Sequence, residues 1–362
     1  MILFCKRIFF VVLLALVSVN MFSMQLGDGT STDKNIPIKI SDNIISVSTS
    51  VYGTMFLTNN NELFASGKNV VGHLGFGSIL THETPVKILD HIIAISCGFN
   101  HSLMLTEQGE LWGCGSSTFG QLGQKIQISF QPVLIIDHVT TMSSRGNFSL
   151  IVKKDKTLWV CGDNEYGQLG TGNTQTQVSP IQIMDGVIAV SAGTDHSLIL
   201  KEDGTLYACG RNFNGAYGNG TSHSSSTPIL VAKDVKYISA GSGISFYIKN
   251  DNSLWGSGIN VNSTLGDSST KACLTFKKLI DSVKSVSAGE THTIVLKLDG
   301  SVWTCGQNDH GQLGDGTFTP KMTFIKVLDN VIDISGRGYH CMAIKSDHTL
   351  WGWGWNGEGG IE

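Results

Sequence analysis

The chain has 362 residues, with 25 lysines and arginines against 29 aspartates and glutamates, a formal net charge of −4, and no long basic run. That balance argues against a nucleic-acid partner, whose phosphates call for clustered cations. With 43 glycines, 6 prolines and only 15% charged residues, it has the make-up of a folded protein dense in tight turns and excludes a disordered chain.

Residues 1–23 stand apart. Lys6-Arg7 forms a short positive region, followed by an unbroken apolar run of ten residues from Ile8 to Val17. This pattern reads as a secretory signal peptide or, if the apolar stretch is counted on through Met24, as a signal anchor. Ten residues alone fall short of the ~20 that span a bilayer. The expectation is a secreted, periplasmic or cell-surface protein, in contact with a membrane only through this segment if it remains attached.

From residue 24 to residue 362 the chain repeats itself. Leu26 recurs as Leu74, Leu122, Leu169, Tyr217, Leu265, Leu313 and Ile361, at intervals of 47 or 48 residues that define seven copies. Repeats of this length build one continuous core from units that cannot fold alone. In the copy from Thr84 to Gly123, four runs are rich in β-branched and aromatic residues: Pro85 to Leu89, Ile92 to Gly98, His101 to Leu105, and Glu110 to Gly115. Four short strands per copy, seven times over, predict an all-β seven-bladed β-propeller of four-stranded blades. Ile361-Glu362 ends the chain at the phase where Leu26-Gly27 begins it, so N- and C-terminal segments are expected to close the ring.

Each copy carries the same inner slots. A turn pair joins the third run to the fourth: Asn60-Asn61, Gln108-Gly109, Asp155-Lys156, Asp203-Gly204, Asp251-Asn252, Asp299-Gly300 and Asp347-His348. Such pairs tolerate the positive φ of primed hairpin turns. An aromatic follows in every copy, as Phe64, Trp112, Trp159, Tyr207, Trp255, Trp303 and Trp351. Two residues later comes a mostly small slot, then a glycine; the ring and the small group share a strand face and are expected to interlock between blades. Cys114, Cys161, Cys209 and Cys305 occupy that slot where other copies have Ser66, Ser257 and Trp353. The cysteines therefore read as buried strand thiols, not as a disulfide framework, and the absence of C-x-x-C supports neither a zinc site nor a redox pair.

Ser287-Ala288-Gly289-Glu290-Thr291-His292-Thr293, Asp299 to Gly306, and Asn308 to Thr317 carry a composite motif that resembles the repeat of the regulator of chromosome condensation family. The resemblance covers essentially everything after the leader and implies a seven-bladed propeller. It leaves function open, because that family includes a nucleotide exchange factor for a small nuclear GTPase, a plant ultraviolet photoreceptor, modules of large ubiquitin ligases and secreted bacterial β-lactamase inhibitors. The even spacing leaves no room for the exchange factor's inserted wedge. The photoreceptor's tryptophan position holds Phe99, Gly146, Thr194, Ser242, Glu290 and Gly338 here. A nucleotide-exchange or ubiquitin-ligase-associated regulator is thus the alternative reading.

No motif nominates an enzyme. There is no G-x-S-x-G elbow, H-E-x-x-H or Walker-type loop. His101, His196, His292 and His340 share one slot that other copies fill with Phe148, Ile244 or Gly53, so they are expected to be half-buried strand residues bonded to backbone. No catalytic residue, metal or cofactor is expected, and the chain reads as a monomeric, non-enzymatic protein-interaction module. The copies differ in the loop before the histidine slot, which makes Phe99, Asn100, Asn147, Asp195, Glu290, Arg337 and Tyr339 the candidate contacts for a protein partner on one propeller face.

Overall fold

The computed structural model describes residues 25–357; the leader, Cys5 and the Ile361-Glu362 end lie outside the described residues. Seven four-stranded antiparallel sheets are arranged as a β-propeller. Blade 2, for example, runs outward from the central channel through Ile92–Cys97, His101–Thr106, Leu111–Ser116 and Ile128–Ile136.

This sets the phase of the blades. The sequence copy beginning at Thr84 straddles two sheets: strand His82–Leu89 is the outer strand of blade 1, paired with Leu63–Gly67 through Leu63↔Leu89 and Ala65↔Val86. Only Asp90 and His91, the latter at φ 60°, separate that strand from the inner strand of blade 2. A repeat has no intrinsic beginning, and here the sheet boundary falls at this short link.

Burial follows position in the blade. The second strand is covered by both neighbouring blades, so its first five residues are buried, as in His101–Thr106; this is why its apolar run is continuous rather than alternating. The core is accordingly a ring of inter-blade clusters. In one of them Met55, Leu57 and Leu63 of blade 1 pack on Ile92, Cys97 and Met104 of blade 2.

Closure is made by the N-terminal side. Strand Lys34–Ser41 pairs antiparallel with Leu350–Gly354 and becomes the outer strand of blade 7. A side-chain bond repeats the logic of every other copy at this seam. The Leu74 N–H donates to Asn69 Oδ1 at 2.8 Å, Leu169 to Asn164 at 3.0 Å and Leu313 to Asn308 at 2.9 Å. At the seam the Leu26 N–H donates to Asn356 Oδ1 at 3.1 Å, across 330 residues of chain.

The hairpins differ from expectation. Only the second residue of each turn pair has positive φ, as in Gly109 (89°), Lys156 (64°) and His348 (62°). The Gly109 N–H bonds to Thr106 O, and the Thr106 N–H bonds to Glu110 O, both at 3.0 Å. These are three-residue loops ending in one left-handed residue, not two-residue primed turns. One left-handed position suffices, and Asn, Lys and His fill it as well as Gly. The glycine after the small slot is more demanding: Gly115 sits at φ +104°, and a Cβ there would lie 2.3 Å from Asn100 O.

The tryptophans seal blade edges. Trp303 Nε1–H donates to Ser301 Oγ at 2.9 Å, and Ser301 in turn donates to Asp299 Oδ1 at 2.6 Å. The Lys297 ammonium lies 4.5 Å from the Trp303 ring centre. Six of the seven described cysteines are buried and all seven are free thiols; Cys161 Sγ–H donates to Gln121 O of the preceding repeat at 3.6 Å.

Candidate functional site

Antiparallel pairing places two loops of each copy at the same end of the propeller: the loop before the second strand and the loop after the third. Backbone bonds tie them together, from the Ser116 N–H to Asn100 O, Arg211 to Asp195 O and Trp355 to Tyr339 O, at 2.7, 2.7 and 2.9 Å. All seven candidate residues are at this end, spread over blades 2, 3, 4, 6 and 7.

They are held more firmly than a solvated turn. Phe99 meets Tyr52 edge-on at 6.3 Å, and Tyr339 packs on Trp355 at 6.1 Å and on His310 at 5.6 Å. The Asn147 carbonyl accepts the Asp163 N–H at 2.9 Å. Asp195 pairs with Arg211 at 3.2 Å, whose guanidinium lies over the rings of Tyr166 and Phe213 at 4.8 and 5.4 Å. Beside them Ser242, Gly243 and Ile259 complete a pocket of about 140 Å³.

Arg337 departs from expectation. It is 6% exposed and lies in the central channel, so it is not an exposed anchor on a loop. Its Nη1 donates to Cys97 O and, at 3.2 Å, to Ser144 O; its Nη2 donates to Arg145 O. Arg145, which sequence reasoning passed over, is equally buried and reaches across the channel in the opposite sense. It donates to Ala288 O at 2.6 Å, Gly289 O at 3.0 Å and Glu290 Oε1 at 3.0 Å. Two arginines thus strut the channel mouth, one from blade 7 to blades 2 and 3, the other from blade 3 to blade 6. Burial, followed by the neighbouring Arg145 charge, brings the Arg337 pKa down to about 9. Burial opposes ionisation of Glu290, but the Arg145 and Arg337 charges outweigh it and hold the carboxyl below its ordinary range.

The signal for this site was in the alignment of copies. Arg145 and Arg337 occupy the glycine of S-A-G, which the other copies fill with Gly98, Gly193, Gly241, Gly289 or Ser50. One layer away, Ser48, Ser96, Ser143, Ser191, Ser239, Ser287 and Ser335 form a seven-membered ring lining the channel. Several of these hydroxyls join blades: the Ala192 N–H donates to Ser143 Oγ and the Ala240 N–H to Ser191 Oγ, both at 2.9 Å.

The histidine slot is also tighter than expected. His101, His196, His292 and His340 are at most 1% exposed, and they bond side chains of the next blade instead of backbone. His101 Nε2 lies 3.0 Å from Ser149 Oγ, which gives its own proton to Gln121 O at 2.7 Å, so the histidine is the donor. His340 Nε2 makes the corresponding contact with Thr54 across the seam at 3.3 Å. Burial holds these rings neutral, with pKa values lowered to about 3 for His101 and His340 and about 4 for His196 and His292. Among the described residues no group of three His, Cys, Asp or Glu is placed to hold a metal ion.

Apolar side chains on five of the seven blades form an arc at the same end, also unread in the sequence. Val70, Phe119, Phe213 and Val261, from blades 1, 2, 4 and 5, are 41, 39, 62 and 62% exposed, with Tyr166 of blade 3 between them. All sit in the loop preceding the G-Q-L-G segment, whose two variable positions were the available signal. A larger groove of about 610 Å³ beside Trp112 lies away from this end, between the outer parts of blades 1 and 2.

Comparison with known proteins fits this geometry. A family model described as RCC1-like domain matches residues 18–271, and regulator of chromosome condensation (RCC1) repeat models match residues 283–312 and 299–344. The chain belongs to the RCC1-like family. Among solved structures, this RCC1-like propeller is similar to human WBSCR16, at 18% identity and a TM-score of 0.78, over 93% of this chain and 97% of that one. It is similar as well to Prp20p from Saccharomyces cerevisiae, whose binding to Gsp1p and histones has been described, at 18% identity and a TM-score of 0.72, over 87% and 83%. At 13% identity and a TM-score of 0.53, the ectodomain of the Arabidopsis thaliana receptor kinase ACR4 shares the architecture over 89% and 99%. These identities establish the fold alone. A comparison with curated proteins finds no match.

Proposed function

We propose that this RCC1-like propeller is an exported, non-enzymatic interaction module that binds a protein partner through the end bearing the paired loops. The observation that carries the reading is the apolar arc on five consecutive blades, Val70, Phe119, Tyr166, Phe213 and Val261, presented on loops fixed by the blades beneath them. Half-buried Phe99 and Tyr339 extend it, and Asp195 with Arg211 supplies a polar edge. The binding of Gsp1p and histones by Prp20p supports protein recognition as a use of this architecture. Export rests on Lys6-Arg7 and the apolar run from Ile8 to Val17; among the described residues no helix is long and apolar enough to cross a membrane.

The test of binding is the triple variant Phe119→Ser, Phe213→Ser, Val261→Ser, used beside the unaltered protein to capture partners from the native source, with the captured protein then purified and titrated. Loss of binding with unchanged melting is expected; undiminished binding contradicts the proposal. Export is tested by fusing residues 1–23 to a reporter that is active only outside the cytoplasm. Activity is expected, and a reporter retained in the cytoplasm contradicts it.

A further inference from the structure

The arginine struts leave charge and donors unused. Two guanidiniums are buried at the channel mouth, and among the described residues Glu290 is the one carboxylate in ion-pair contact with either; it bonds Arg145, and its single negative charge also acts on Arg337. The remaining partners are backbone carbonyls, which solvate a guanidinium but do not neutralise it. Nε of both arginines is buried without a hydrogen-bond partner. On the same channel-lining strand as Arg337, Asp333 is the other acid; its Oδ1 accepts the Ile334 N–H at 2.9 Å, and it does not line the cavity beside the arginines.

That cavity has a volume of about 140 Å³ and is open rather than enclosed. It is close to the ~150 Å³ that accommodates a small ring compound in an apolar core, but its walls are polar, formed by the two arginines and the serine ring. Ser143 and Ser191 each accept a backbone N–H from the next blade, and no bonded acceptor takes their own hydroxyl protons among the described residues. Ser287, by contrast, gives its proton to Gly336 O at 3.0 Å, and the Ser96 and Ser335 hydroxyls bond those of Ser144 and Thr49. The channel thus combines an excess of positive charge with the hydroxyl donors of Ser143 and Ser191. Both favour an anion with several acceptor oxygens, and a guanidinium matches such an anion in shape as well as charge.

We propose that the central channel is a binding site for one small tetrahedral oxyanion, of the phosphate or sulfate class, held by Arg145 and Arg337 with hydroxyls of the serine ring. The anion completes the charge balance of the mouth and joins blades 3 and 7 through a shared ligand. Glu290 competes with it for Arg145. None of the residues lining this site belongs to the apolar arc.

The test is calorimetric titration of the full-length protein with inorganic phosphate and with sulfate in a chloride buffer of matched ionic strength, with acetate as the carboxylate control. Saturable binding of one phosphate or sulfate per chain is expected, weakened at least about tenfold in Arg337→Gln. Since Arg337→Gln also removes a strut and can unfold the ring, Glu290→Gln provides a second arm. It removes the competing charge and keeps both arginines, so phosphate affinity is expected to rise at least about threefold. No saturable binding, acetate binding tighter than phosphate, or weaker phosphate binding by Glu290→Gln would each overturn the assignment.

Discussion

The interior of the propeller and its loop-bearing end use the same repeat in opposite ways. Inside, the copies converge: each histidine named above reaches a hydroxyl or thiol of the next blade, and each small slot packs against the preceding repeat. At the loop-bearing end the copies diverge into Phe119, Tyr166, Phe213 and Val261 on one arc, with Arg145 and Arg337 in the channel. What repeats makes the ring; what fails to repeat is free to recognise something. If so, substitutions inside should cost stability and spare binding, and substitutions on the arc should do the reverse.

The seam gives the largest effect on the interior side. Deleting Lys34–Ser41 removes the outer strand of blade 7 and with it the pairing to Leu350–Gly354. Cooperative melting by circular dichroism is expected to vanish, since the loss rivals the ~5–15 kcal/mol that stabilises a typical domain. A deletion variant that melts like the intact chain would break the comparison at its base.

Acid comes next. A buried histidine whose pKa falls from 6.5 to about 4 is neutral in both states above pH 6.5, so its stabilising contribution is fully present there. Between 6.5 and 4 the unfolded chain binds more protons, and stability drops as the pH falls. Each such ring is worth roughly 3 kcal/mol by pH 4, and five rings behave this way, counting His73. The melting temperature should fall steadily from pH 6.5 to pH 4, and a flat profile would contradict the buried, neutral assignment.

Single substitutions grade downward. Gly115→Ala places a Cβ 2.3 Å from Asn100 O at a φ of +104° and should cost about 3 kcal/mol in denaturant unfolding. His196→Ala opens a gap and breaks the 2.9 Å contact with Ser245, for about 2–3 kcal/mol. Trp303→Phe keeps the ring over Lys297 but loses the bond to Ser301, for about 1 kcal/mol. On the arc, Phe213→Ser should change stability by no more than about 0.5 kcal/mol.

Much of the interior was legible in the chain, because a slot recurring seven times averages out local noise. The 47- or 48-residue period, the four strands, the small slot and the positive-φ glycine could all be read from copies laid side by side. Blade phase was not legible: strand His82–Leu89 carries no mark saying whether it pairs backward with Leu63–Gly67 or forward with Ile92–Cys97. The hairpin form escaped because Asp-Gly serves two loop types, and hydrogen bonds, not residue identity, distinguish them. Phe99, Asn100, Asn147, Asp195, Glu290 and Tyr339 read as variable loop positions on one face, and the structure puts them at one end of the propeller; Arg337 reads as an exposed side chain but is buried. Its long stem turns inward because the glycine slot it occupies borders the channel. Arg145 follows from the same alignment, and neither residue is anomalous once the slot is recognised. The Ser, Thr or Cys after every histidine slot, such as Ser102, Thr293 and Cys341, was a visible hint that the rings bond across blades rather than to backbone.

The most direct measurement places both regions in one titration. The partner captured by the unaltered protein would be purified and its affinity measured, at a temperature where all forms are folded, against the arc variant Phe119→Ser, Phe213→Ser, Val261→Ser and against His196→Ala. The arc variant is expected to melt within about 2 °C of the unaltered protein and to bind more than about a hundredfold more weakly. His196→Ala is expected to melt lower and to bind within about twofold. Full affinity in the arc variant, or loss of affinity confined to His196→Ala, would contradict this division between interior and arc.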